Sequence, residues 1–174
     1  MISDALDRLA RVYRYLLLKK ATSMGLTELQ LSILLHVAEG FNTVGRLAER
    51  VAVSQPTVSD AVLALERKGL VRRIKSGRLT LIELTPDGLK AVGEVRRLLA
   101  EIDEAGVAAG GPGLRLALLR LIAEMQKRGL IEARLCLTCR FFKEGYCMLL
   151  EKKLEITEYR VDCPDYKPAT ILQA

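Results

Sequence analysis

Four cysteines lie in the last quarter of this chain and nowhere else. They are Cys136, Cys139, Cys147 and Cys163, in the pattern C-x2-C-x7-C-x15-C. Thiolates in such a group can hold a soft metal or an iron–sulfur centre, or cycle between thiol and disulfide. A structural zinc site ordinarily offers two paired knuckles. Here only Cys136 and Cys139 are paired, and no glycine follows either one as in a knuckle. Five of the eight aromatic residues, Phe141, Phe142, Tyr146, Tyr159 and Tyr166, share the segment with them. An apolar surround of that kind excludes water from a metal centre and tunes its potential.

The spacing is similar to that of small iron–sulfur modules of the high-potential type, where one C-x2-C pair is followed by two isolated cysteines. Cys163-Pro164 is a Cys-Pro dipeptide of the sort found at cluster ligands. The reading favours a four-iron cluster on Cys136, Cys139, Cys147 and Cys163. Zinc is the alternative, and disulfides or switching thiols stay open. A segment this short buries too little surface to fold unaided, so a metal or other cross-link would supply the missing stability.

The chain has 174 residues, half of them apolar and 28% charged, enough for one domain and a small appendage. The net charge is +6. The stretch from Cys136 onward carries six basic and six acidic residues, so the whole excess belongs to the preceding part. A basic domain points to an acidic partner such as nucleic acid. No apolar run approaches the roughly 20 residues needed to span a bilayer, and the charged N-terminal helix does not read as a signal segment. A cytoplasmic protein without a membrane partner is expected. No Ser/His/Asp or Cys/His arrangement and no G-x4-G-K-[ST] phosphate loop occurs, and the acids are scattered, so an enzyme is not expected.

Periodicity predicts helices over Ile2 to Lys20, with Ser3 as cap, and from the Thr27 cap to about Glu39. A short helix follows from Val44 to about Val51. Ser54 caps the next, which carries Pro56 in its first turn and runs to Lys68. Val58, Ala61, Val62 and Leu65 form its apolar back, while Gln55, Thr57, Ser59 and Asp60 face outward. Leu70 to Lys75 and Leu79 to Leu84 alternate and predict a β-hairpin. A long helix from Thr85 to Ala109 ends at Gly110-Gly111-Pro112-Gly113, and a last one spans Leu114 to Arg128. The lone histidine, His36, sits within a helix and has no second imidazole to pair with.

Helix, short helix, turn, polar-faced helix and basic hairpin follow one another as in a winged helix-turn-helix. A recognition helix needs an apolar back to seat it and small polar residues to approach base edges. The hairpin carries Arg72, Arg73, Lys75 and Arg78, with no acid from Val71 to Leu81. Such a wing suits phosphates or a narrow minor groove.

The stretch LAERVAVSQPTVSDAVLALERKGLVRRIKSGRLTLIELTPDGLKAV resembles the MarR family of regulators. Its carriers are the S-x-P-T-V-S-x-x-V-x-x-L-E-x-K-G-L-V block and L-T-x-x-G after the wing. The resemblance covers roughly Met1 to Lys127. It implies a homodimer interlocked through N- and C-terminal helices, double-stranded DNA as partner, and a small-molecule effector as a further candidate. It places DNA-reading positions at Ser54, Gln55, Thr57, Ser59, Asp60 and Arg78, and Pro56, in the same first turn, is counted with the DNA-binding residues. Ser76 stands where the family often has an Asp supporting the wing Arg.

The expectation is thus a mainly α chain with a small β-hairpin wing, a winged helix-turn-helix over 1–130 and a cysteine-rich metal module over 131–174. The function expected is dimeric, sequence-specific transcription regulation, with redox or metal sensing at the cysteines. The alternatives are a small iron–sulfur electron-transfer protein and a regulator whose zinc is purely structural.

Overall fold

The computed structural model describes residues 1–77 and 79–169. They fall into two compact units, Met1–Ala100 and Glu101–Ala174.

The first unit contains α1 (Ile2–Ser23), α2 (Glu28–Ala38), α3 (Val44–Val51), α4 (Gln55–Arg67), β1 (Val71–Ser76), β2 (Leu79–Leu84) and the start of α5 (Pro86–Ala109). Its centre is α2, whose composition is apolar around most of its circumference, as a buried helix requires. Leu31, Ile33, Leu34 and Val37 are all buried. A capping box starts α2: Thr27 Oγ1 accepts from the Gln30 N–H at 3.2 Å, and Gln30 Oε1 accepts from the Thr27 N–H at 3.3 Å. Around it pack Leu47 and Ala48 of α3 and Val58, Ala61, Val62 and Leu65 of α4. The last four are the face expected from their spacing.

The hairpin pairs Val71 with Leu84 through Ser76 with Leu79. Val71 and Ile82 turn inward to the core, as alternation dictates. The Ile82 N–H donates to the Asn42 carbonyl at 2.8 Å, which ties the hairpin to the α2–α3 link. Thr85 begins α5: its hydroxyl donates to the Gly69 carbonyl at 2.6 Å and accepts from the Gly88 N–H at 3.0 Å.

Some boundaries differ from expectation. The first helix begins at Ile2 and runs to Ser23, so Ser3 lies inside it and does not cap it. Thr43 holds the position before α3 but its side chain makes no capping bond.

The second unit contains α6 (Gly111–Lys127), which starts three residues before expectation. Pro112 lies in its first turn, where a missing N–H costs nothing. Beyond it come a 3-10 turn at Cys136–Thr138, then β3 (Phe142–Lys143), β4 (Tyr146–Cys147), β5 (Lys152–Lys153) and a 3-10 turn at Ile156–Glu158. The strands form an antiparallel sheet in the order β3-β4-β5. Glu144 and Gly145 join β3 to β4, both at positive φ (49° and 84°), the backbone of a type I′ hairpin turn.

Side chains of α6 hold this small unit by its backbone. Arg115 donates to the Ile156 carbonyl at 3.0 Å and the Tyr159 carbonyl at 2.7 Å. Gln126 donates to the Ala133 carbonyl at 2.8 Å and accepts from the Thr138 hydroxyl at 2.8 Å. Leu119, Ala123, Leu135 and Leu154 are buried, with Cys136 and Cys139 among them. No single helix among the described residues is long and apolar enough to cross a membrane.

Candidate nucleic-acid interface and cysteine site

The turn between α3 and α4 passes through Ala52 in the left-handed conformation (φ 54°) and hands the chain to Ser54. Ser54 Oγ accepts from the Thr57 N–H at 3.3 Å and lies 2.7 Å from Thr57 Oγ1. The hydroxyl therefore serves the helix start, which fixes Gln55, Pro56 and Thr57 in the first turn. Ser54, Gln55, Pro56, Thr57 and Asp60 are exposed, and Ser59 is half-buried. This polar turn sits on a helix whose opposite face is seated in the core, the arrangement that presents side chains to base edges.

The wing sorts its cations. Arg72 donates to Glu83 across the hairpin through Nε at 3.2 Å and Nη2 at 2.8 Å. Arg73 donates to Glu66 of α4 through Nε at 2.8 Å, and its own N–H reaches the same carboxylate at 3.2 Å. Lys75 is exposed, with no carboxylate partner among the described residues. Arg78 lies outside the described residues. The expected basic hairpin is present, and two of its arginines are engaged by acids in the free chain.

Three residues that position the interface escaped the sequence reading. Glu66 joins recognition helix to wing. Lys68, at the end of α4, donates to the Gly25 carbonyl at 2.6 Å and to Gln30 Oε1 at 2.8 Å. Gln30 is buried despite its amide, and that bond and the α2 cap satisfy its oxygen. Nothing in a linear string says which base an acid faces once the chain has turned.

In the second unit, backbone bonds draw the four cysteines together. Cys136 and Cys139 flank one 3-10 turn, with the Cys139 N–H donating to the Cys136 carbonyl at 3.0 Å. Arg160 brackets Cys136, its carbonyl accepting from the Cys136 N–H at 3.1 Å and its N–H donating to Sγ at 3.2 Å. The Cys163 N–H donates to the Arg134 carbonyl at 2.7 Å, two residues before Cys136. Cys147 pairs with Phe142 in the β3–β4 ladder, and the Phe142 N–H donates to the Cys139 carbonyl at 3.1 Å. All four are free thiols. Cys136 and Cys139 are buried, and Cys147 and Cys163 are half-buried.

Burial pushes the Cys136 thiol above its usual range. The Arg160 N–H opposes that shift, while the charges of Cys163, Cys147 and Cys139 reinforce it. Four thiols acting on one another are the donor set a thiophilic metal takes. Among the described residues, however, no three His, Cys, Asp or Glu side chains stand ready around one metal-ion position. The donor types suit a metal, but their placement among the described residues does not form such a site. Of the aromatics, Phe142 and Tyr159 meet edge to face at 4.8 Å, and Tyr166 turns its hydroxyl to Gln126 at 3.0 Å. Tyr146 is exposed.

The MarR family model matches residues 24–78, from the α1–α2 turn to the wing. Solved structures share the fold. The DNA complex of MepR from S. aureus superposes with a TM-score of 0.60 at 20% identity, covering 74% of this chain and 96% of that one. BldR from Sulfolobus solfataricus is 27% identical, with a TM-score of 0.53 and coverage of 72% and 94%. NadR, solved with 4-hydroxyphenylacetate, is 24% identical, with a TM-score of 0.59 and coverage of 72% and 92%. Comparison with curated proteins gives no match. The fold is that of MarR-family winged-helix regulators, mostly helical with one antiparallel hairpin at the wing.

Proposed function

We propose that this chain is a MarR-family transcription regulator that binds double-stranded DNA as a homodimer, and whose cysteine unit makes that binding responsive to metal or redox state. The observation that carries the DNA reading is the first turn of α4. Its exposed Gln55, Pro56 and Thr57 are held by the Ser54 cap on a helix whose back is fully seated, next to a hairpin carrying the exposed Lys75. That MepR was solved on DNA adds support from a similar fold.

The homodimer reading rests on α1. Only Ala21 of its 22 residues is buried, while Leu9, Tyr13, Tyr15 and Leu18 are exposed. An amphipathic helix whose apolar residues meet solvent is completed by a partner surface, and a second copy supplies one by symmetry. A small-molecule effector is a further candidate partner, since NadR was solved with one.

Selection from genomic fragments, followed by fluorescence anisotropy on the enriched duplex, tests this. Expected is a pseudo-palindrome with half-sites about 10 bp apart and affinity that falls steeply with salt as counterion release is suppressed. Selection that enriches no sequence would defeat the specific-regulator reading. Sedimentation that finds a monomer at working concentration would defeat the dimer.

A further inference from the structure

We infer that Arg46 is a further phosphate contact of the DNA interface, carried on the ring of Phe41 beside the start of α4. This contact belongs to the DNA reading above and rests on it. Phe41 lies in the link between α2 and α3, and three side chains surround its ring. The Arg50 guanidinium is 4.4 Å from the ring centroid and that of Arg46 is 4.9 Å from it. The His36 ring meets it edge to face, with centroids 6.0 Å apart. Two guanidinium groups at one ring repel each other, and the chain answers them unequally. Glu39 lies 3.9 Å from Arg50 Nη2 and 3.0 Å from His36 Nδ1. Arg50 is half-buried, whereas Arg46 is exposed and has no carboxylate partner among the described residues.

The place of Arg46 in the fold relates that charge to DNA. Gly45, just before it, lies against the start of α4: a β-carbon there would come 3.7 Å from Gln55 Nε2. The Ile82 N–H of the wing donates to the carbonyl of Asn42, the residue after Phe41. The link and the first turn of α3 therefore adjoin both elements that face DNA. In helix-turn-helix recognition the first helix of the pair crosses the phosphate backbone while the second reads base edges.

Local electrostatics point the same way. The first turn of a helix is its positive end, where an acid is favoured and a cation is not. In α3 that turn holds Arg46 and no acid, and Thr43 Oγ1 is not spent on a cap. An anion at this turn relieves the conflict. Arginine suits the task because its flat face stacks on an aromatic ring while its edge offers a fork of donors to phosphate oxygens. Phe41 holds the side chain before DNA arrives, which reduces the ordering cost of the contact.

The test is a set of anisotropy titrations over a potassium chloride series, with the full chain, the selected operator and a scrambled duplex. Arg46→Ala is expected to weaken both duplexes severalfold and by the same factor. The slope of log affinity against log salt falls by about 1 for each protomer engaged. Arg46→Lys keeps the slope, because the charge stays, and recovers part of the affinity. Phe41→Leu also keeps the slope but weakens both duplexes, because the cation is present and no longer held. Circular dichroism checks that each variant is folded, and the exposed Arg46 variants decide the contact even where Phe41→Leu disturbs the fold. A folded Arg46→Ala chain with the full wild-type slope overturns the phosphate contact. A loss confined to the operator overturns it too, since Arg46 would then read a base. Wild-type affinity in Phe41→Leu overturns the role of the ring. A wild-type chain that binds neither duplex removes the DNA reading and this contact together, whereas a wild-type chain whose binding and slope Arg46→Ala shares removes this contact alone.

Discussion

A β-carbon added at Gly88 would overlap the carbonyl oxygen of Leu70 and lie 3.0 Å from the carbon of that carbonyl. Leu70 enters the wing, Gly88 lies in the first turn of α5, and the obstacle is backbone, which cannot rotate away. Alanine is favoured over glycine in a helix by about 1 kcal/mol, but overpacking against a fixed group costs about 1–3 kcal/mol. Gly88→Ala is therefore expected to lower the free energy of unfolding in a urea titration. Gly93→Ala, further along α5 with nothing within 4 Å of the added carbon, is expected to raise it by roughly the propensity difference. A loss at both positions would show that helix packing is not what distinguishes them. The L-T-x-x-G string was visible from the start. Its reason was not, because the close approach joins residues 18 positions apart. Ser54 and Pro56, by contrast, were fully legible, since a cap and a first-turn proline act within four residues of themselves.

Local signals also explain which elements could be read. The long helices and the hairpin announce themselves by period, and the α4 core face fell where its spacing put it. The strands β3, β4 and β5 have two residues each, too short to show alternation, so the cysteine segment could be described only by its ligand spacing. Pairing across elements was equally hidden. Arg72 and Arg73 read as free cations of a wing, yet Glu83 and Glu66 accept from them. The Arg73–Glu66 pair is partly exposed and worth no more than about 1 kcal/mol to stability, so its main effect is on orientation. Glu66→Gln is expected to loosen the wing and release Arg73 toward phosphate. Affinity for scrambled duplex then rises, and the ratio of operator to scrambled affinity falls. Lys75→Ala is expected to reduce the slope of log affinity against log salt by about 1, as for the loss of one phosphate contact, whereas Arg73→Ala changes the ratio more than the slope. Anisotropy titrations over a salt series separate these outcomes. An equal loss of slope in both alanine variants would make Arg73 a phosphate ligand and not a brace.

At the scale of the whole molecule, the decisive feature is an apolar helix face left uncovered. Leu9 is 57% exposed and Tyr13 is 43% exposed, four residues apart on α1, which places them on the same face of the helix. A chain whose α1 ended its role in the monomer core would bury such residues, as α2 does. Because these two already meet solvent, replacing both with glutamate removes little packing from the first unit. Leu9→Glu with Tyr13→Glu is therefore expected to leave the circular dichroism and the single-chain fold in place while repelling a second copy, since like charges at a twofold interface face each other. Sedimentation should show the shift to monomer. DNA binding should weaken in step, because a dimer engages its second half-site as an intramolecular event, an advantage of about 10²–10⁴-fold that a monomer forfeits. Affinity for an isolated half-site should hardly change, since the α4 first turn and the wing are untouched. A double variant that sediments as a dimer, or one that loses half-site and full-site binding alike, would mean that α1 serves the DNA-binding fold itself and that the symmetric contact lies elsewhere.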